Sequence, residues 1–347
     1  MIFLSLIAVL AIVHLTAFGS WLHRDAWFVG LLNKLRALPS ASSAPLLPMI
    51  LALAIPLALV AGCIVMISVW DGTEHGPSLF LFFINVPVLL YSLGRGDFAA
   101  EVNHYIATAT RGDLAMANKI VADLRGRVDL DDDTDIDTDS GDISDWKTLH
   151  TRALKVIAYR GFERTFAVLF WFFIAGALGA LLYRLSIIYR EQTVPNTVEA
   201  HLADRWLWLI ELPAVRLMGL TWAFVGNFDS CPWRESLLDT RHSSITILNN
   251  SLRGALSAPT DVYRQPDDVA GAKASPDTAE EAAVAFEEAS ENAQEVMEDL
   301  VGIRLSPQVE PAYSFALVKS SIPLYSRSLL FCVGVIAFAT LFYMTSF

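Results

Sequence analysis

The chain has 347 residues, of which 54% are hydrophobic and only 18% are charged. A soluble domain carries fewer apolar and more charged side chains, which excludes a soluble enzyme. The formal net charge of −12 also argues against nucleic-acid binding, which needs a basic footprint.

Crossing a bilayer as a helix takes roughly 17–25 mainly apolar residues. Met1 to Leu22 has this length and lacks the basic start of a cleaved signal peptide, so it is expected as the first span. Met49 to Trp70 follows, inside a stretch from Arg36 to Asp71 whose one ionisable side chain is Cys63. Pro77 to Gly94 is shorter and is broken by Asn85 and Pro87, whereas Phe166 to Tyr183 and Leu329 to Phe347 are apolar throughout. Trp206 to Phe228 is long enough but holds Glu211 and Arg216. A charge inside a span costs about 2.5–3.5 kcal/mol on insertion scales. The expected fold class is therefore an all-α integral membrane protein with about six membrane-embedded helices. Pro77 to Gly94 and Trp206 to Phe228 either cross or re-enter, and re-entry requires protein to bury the irregular backbone.

Cytoplasmic loops retain Lys and Arg. With six crossings, 21–48, 95–165 and 229–327 share one side and hold 3, 10 and 8 of the 25 Lys and Arg residues. A four-span alternative places the 10 basic residues of 95–165 opposite the rest and loses that asymmetry. The expectation is both termini outside, both long polar regions in the cytoplasm, and 184–205 on the far face. Trp21, Trp70, Trp206 and Trp208 sit at expected span ends, where amphipathic rings prefer to lie. The chain then divides into N-terminal membrane helices (1–94), a polar helical region (95–165), a membrane segment pair (166–228), a second polar helical region (229–327) and a terminal anchor (328–347).

In the first polar region, the segments opening at Asp97-Phe98-Ala99-Ala100-Glu101 and at Gly112-Asp113-Leu114-Ala115 are alanine-rich and proline-free, which predicts short helices. Asp129 to Asp142 alternates carboxylates, but a calcium loop needs D-x-[DN]-x-[DN]-G with Glu six residues after the glycine. Here Gly141 follows Asp139-Ser140 and position 147 is Lys, so an acidic disordered insertion is expected. From Asp145 to Arg164, Trp146, Leu149, Ala153, Leu154, Ile157 and Ala158 follow the spacing of an amphipathic helix, expected to lie along the membrane surface. In the second region a helix is expected over Ser236 to Leu256, a loop over Ser257 to Pro276, and a helix capped by Ser275-Pro276-Asp277 running to about Leu300. Cys63, Cys231 and Cys332 show no metal-type or CxxC spacing and are expected as reduced structural thiols.

Three constellations carry candidate functional residues. Leu93-Gly94-Arg95-Gly96-Asp97 places Arg95 and Asp97 where a span meets water, beside glycines that allow close backbone approach. Phe170 to Arg184 offers a small-residue face at Gly176, Gly179 and Ala180 for another helix, and ends on Tyr183-Arg184. Glu211-Leu212-Pro213-Ala214-Val215-Arg216 and the following run to Asn227-Phe228 read as a helix broken at Pro213. In it Glu211 and Arg216 meet each other or a polar ligand.

Leu93-Gly94-Arg95, Phe166 through Tyr183-Arg184, and Pro213 through Gly226-Asn227-Phe228 together resemble the AmpE family. That family is a membrane component associated with regulation of ampicillin resistance in Gram-negative bacteria. The resemblance implies a multi-pass regulatory protein of the inner membrane, linked to β-lactam response and cell-wall recycling, with no cofactor. Its partners would be the bilayer, a cytoplasmic or membrane protein, or a further copy of the chain. AmpE is in turn similar to the adenosylcobinamide-phosphate synthases, which implies the alternative of an amide ligase of cobalamin assembly. Those ligases carry Asn-Thr-Leu-Asp-Ser-Met after the tyrosine-basic pair, where this chain reads Leu185-Ser186-Ile187-Ile188-Tyr189-Arg190.

Overall fold

A computed structural model describes residues 2–15, 25–37, 46–70, 79–93, 98–127, 145–228, 230–232, 243–256 and 309–345. Among these residues there is no strand, as the apolar pattern predicts. The helices are α1 (Ile2–Leu15), α2 (Ala26–Arg36), α3 (Leu46–Trp70), α4 (Leu79–Ser92), α5 (Phe98–Thr110), α6 (Leu114–Arg125), α7 (Trp146–Gly161), α8 (Ala167–Glu191), α9 (Val198–Val225), α10 (Ser244–Ala255) and α11 (Val309–Thr345). A π turn, Phe162–Phe166, joins α7 to α8. The acidic insertion 129–142 and the expected helix from Ser275 lie outside the described residues.

Local chemistry sets several helix starts. Asp113 accepts from the Met116 amide at 3.0 Å, Asp145 from Thr148, Thr197 from Ala200 and Ser243 from Thr246, so each satisfies an amide with no partner in the first turn. Four helical stretches are long and apolar enough to cross a membrane: Leu46–Ile67, Trp146–Glu191, Val198–Val225 and Ser314–Phe338. Their outward surfaces are oily. Leu59 and Met66 on α3 and Leu330 and Phe338 on α11 are each at least 67% exposed, as a lipid-facing surface requires. At 14 residues, α4 reaches about 21 Å, short of the ~30 Å hydrocarbon core.

The decisive feature is in α8. Gly176 has φ 62° and ψ −150°, a backbone state open essentially to glycine alone, and it lies in the middle of what is otherwise helix. The chain reverses there. A Cβ on Gly179 would sit 2.4 Å from the Trp171 carbonyl oxygen, eight residues back. Arg190 Nη1 donates to Tyr159 Oη at 2.7 Å, although 31 residues of straight helix would hold them about 46 Å apart. Residues 162–175 and 177–191 are thus two antiparallel limbs of a hairpin with its apex at Gly176. The second limb is about 22 Å long, which is less than the hydrocarbon thickness.

The run Phe166 to Tyr183, expected as one straight crossing, instead folds back on itself at Gly176. Residues 184–205, expected on the face opposite 95–165 and 21–48, are bonded to both. The helix that packs on Gly179 is the first limb of the same hairpin rather than a separate element. Two apolar clusters hold the second limb between them. Leu181, Leu185, Ile188 and Tyr189 pack with Phe28 and Leu32 of α2 and Met49 and Leu53 of α3, while Ala180, Tyr183 and Ile187 belong to the larger core of α5, α6, α7, α9, α10 and α11.

Two further expectations change. The amphipathic helix α7 does not lie along a surface; His150, Ala153, Leu154, Val156 and Tyr159 are all buried, and it packs against α6, α10 and α11. The helix α9 runs unbroken through Pro213. A proline in a helix costs one hydrogen bond and crowds one carbonyl, and a long apolar helix absorbs that without breaking.

Candidate functional site: an ion and tyrosine cluster at the hairpin mouth

Where the two limbs return together, buried charges collect. The π turn carries an extra residue per turn and holds Glu163 in the interior, 2% exposed. Glu163 accepts from Arg160 Nη1 at 2.6 Å and from Arg190 Nη2 at 2.9 Å, so two guanidinium groups share one carboxylate. Arg190 also donates to the Tyr159 hydroxyl, and its guanidinium lies 5.7 Å from the centre of that ring. Tyr159 Oη donates onward to Glu211 Oε1 at 2.7 Å, and Tyr183 Oη donates to the same oxygen at 3.1 Å. The hydroxyl of Tyr159 therefore relays between a buried cation on α8 and a buried anion on α9. Unpaired charges buried this deeply would be prohibitive, and Arg160 and Arg190 balance Glu163 and Glu211.

Arg160 does more than neutralise. Its Nε and Nη2 donate to the carbonyls of Leu124 and Arg125 at 2.8 and 2.9 Å, capping the end of α6, and Nη1 reaches Glu191 at 3.4 Å. Arg127, just beyond α6, donates in return to the carbonyls of Arg190 and Thr193 and to the Thr193 hydroxyl.

Two satellite pairs fix the second limb to α2 and α9. Arg184 pairs with Asp25 at 3.3 Å, and Tyr91 of α4 donates to the same carboxylate. Arg36 of α2 bonds Glu199 at 2.6 Å and the Gln192 carbonyl at 3.1 Å, while Tyr189 donates to Glu199 at 2.6 Å. Trp206 Nε1 donates to Ser186 Oγ at 3.0 Å, completing the seam between the second limb and α9.

Of the residues singled out from sequence, Tyr183 and Glu211 enter the cluster, and Arg184 lies in a satellite pair with Asp25. Arg184 is a buried ion partner, not a surface anchor. Glu211 accepts hydrogen bonds from Tyr159 and Tyr183, and Arg216 sits half-buried on the same helix. Asn227 lies about 24 Å along α9 from Glu211, where its amide donates to the Ala255 carbonyl at 3.0 Å. Arg95 and Asp97 lie outside the described residues. Sequence reading passed over Tyr159, Arg160, Glu163, Arg190, Asp25, Arg36 and Glu199. A signal was available: the doublets Tyr159-Arg160, Tyr183-Arg184 and Tyr189-Arg190 flank the glycine-containing apolar run on both sides.

Away from the hairpin, burial keeps the Tyr105 hydroxyl of α5 protonated far above its usual range, and it bonds His150 Nδ1 at 2.7 Å. Burial likewise pushes the Cys231 thiol up to about 12, and that thiol faces the carbonyls of Gly219 and Ser251. Among the described residues, no three His, Cys, Asp or Glu side chains converge as a metal cage requires. The cluster offers paired charges and hydroxyl relays joining four elements.

A family model described as Regulatory signalling modulator protein AmpE matches residues 1–281. No curated protein and no solved structure matches the chain.

Proposed function

The chain belongs to the AmpE family of regulatory signalling modulators, and on that premise we propose that it is a multi-pass protein of the bacterial inner membrane that adjusts the response to β-lactams during cell-wall recycling. It does so by binding a ligand or partner and passing on the resulting strain, without chemistry of its own. The observation that carries this reading is the cluster of Arg190, Glu163, Tyr159 and Glu211: charged groups buried in an otherwise apolar setting mark functional positions in membrane proteins. A second observation supports a relay over a ligase. The positions where the cobinamide ligases carry asparagine and aspartate after the tyrosine-basic pair hold Leu185 and Ile188, each no more than 2% exposed in the apolar core.

The test is β-lactamase induction by a sub-inhibitory β-lactam in the native host. Glu211→Gln keeps the shape of the side chain and removes its charge. Induction by the variant, normalised to its amount in the membrane, should depart from wild type by several-fold. Induction identical in wild type, Glu211→Gln and a strain lacking the protein would overturn the β-lactam link.

A further inference from the structure

We propose that Arg127 and Arg160 form a reciprocal clasp that passes movement of the hairpin's second limb to the polar helix α6. The inference deepens the regulatory reading above and rests on it for its purpose, though not for its mechanics.

The last carbonyls of a helix have no partner within it, and a cation placed there is favoured by the helix dipole as well. Two helix ends meet beside the cluster, and each is capped from the other side. Arg160, at the base of the hairpin, bonds the carbonyls of Leu124 and Arg125 that end α6. Arg127, which follows α6, bonds the carbonyl of Arg190 in the last turn of α8 and that of Thr193 two residues beyond the helix. Neither end can shift without dragging the other's cap. Gly126 between them is shaped for this. Its φ is 54°, which favours glycine, and a Cβ there would stand 2.6 Å from Arg160 Nη2.

The same Arg160 guanidinium touches Glu163 at the base of the first limb and Glu191 at the end of the second, so it reads the separation of the limbs. The chain passes from the first limb to the second through Gly176, where an added Cβ would meet nothing within 4 Å, so the apex is where the limbs can hinge. A swing about Gly176 displaces Arg190, Glu191 and Thr193 together, and with them both arginines and the end of α6.

Hydrogen exchange read by mass spectrometry, on the full chain in nanodiscs, tests the clasp through a double-mutant cycle. Gly176→Ala perturbs the hinge far from α6. It should speed exchange of peptides covering 114–125 several-fold. In an Arg127→Met background, where the clasp is already open, the hinge change should add nothing further to α6. Equal factors in both backgrounds, or no effect of Gly176→Ala on α6, would refute the proposal. Should Gly176→Ala fail to reach the membrane, Glu191→Gln perturbs the end of the same limb and is read in the same way. Exchange coupling with unchanged β-lactamase induction would leave the clasp standing and remove the regulatory reading; altered induction without coupling would do the reverse.

Discussion

Replacing Gly176 with alanine separates a hairpin from a straight helix by the sign of the effect. Glycine in a helix interior is about 0.5–1 kcal/mol less favourable than alanine, so in a straight helix the change would stabilise. At φ 62° and ψ −150° an L side chain is strained instead, and such a state costs of order 1–3 kcal/mol. No steric contact adds to or offsets that strain, because the new Cβ would have nothing within 4 Å. The expected outcome is therefore destabilisation by about 1–3 kcal/mol, read as a fall in Tm of the detergent-solubilised protein. A distance measurement supplies the geometry. Nitroxides at Thr165 and Gln192 would lie about 40 Å apart along a straight helix, and the hairpin brings them to a small fraction of that. A rise in Tm on Gly176→Ala, together with a separation near 40 Å, would refute the re-entrant reading.

Arg190→Met strips one guanidinium from Glu163 and the charge partner relayed to Glu211, and breaking a buried pair costs about 3–5 kcal/mol, so the folded yield should drop. Adding Glu211→Gln removes one charge of the opposite sign and should recover part of that yield; no recovery would show that Arg190 balances some other group. Cys231, with its thiol pushed up to about 12 and buried against two carbonyls, should resist a maleimide at neutral pH until the protein is denatured; rapid labelling of the native protein would contradict the packing at the end of α9. Cysteines placed at Ala122 and Asn196, both exposed, should react with an impermeant reagent from one and the same side of the membrane, whereas labelling from opposite sides would restore a crossing at 166–183.

The apolar runs and short polar helices were legible because each depends on local pattern. A stretch such as Leu46–Trp70 has no alternative to helix in lipid, and α6 announces itself with Asp113 as a cap. Reversal at Gly176 was not legible, for a reason that lies in what periodicity can see. An 18-residue apolar run reads alike whether it crosses or folds back, since both limbs bury the same kinds of side chain. The Gly176, Gly179 and Ala180 face was visible as a place of close packing, but pattern alone does not say that the partner is the same helix returning. The deciding information is long-range, in the matched charges of Glu163 with Arg190 and Arg160 with Glu191, 27 and 31 residues apart. For the same reason Glu211 was recognised as a costly charge while its two tyrosine donors were not. Arg216 is close in sequence, whereas Tyr159 and Tyr183 become its partners only after the chain has turned. In a membrane protein a charge within an apolar segment thus asks which distant polar residues share its depth. Here the doublet Tyr159-Arg160 before the glycine apex and Tyr189-Arg190 after it give that answer, because the fold that brings Arg190 to Tyr159 is also the fold that reverses the chain between them.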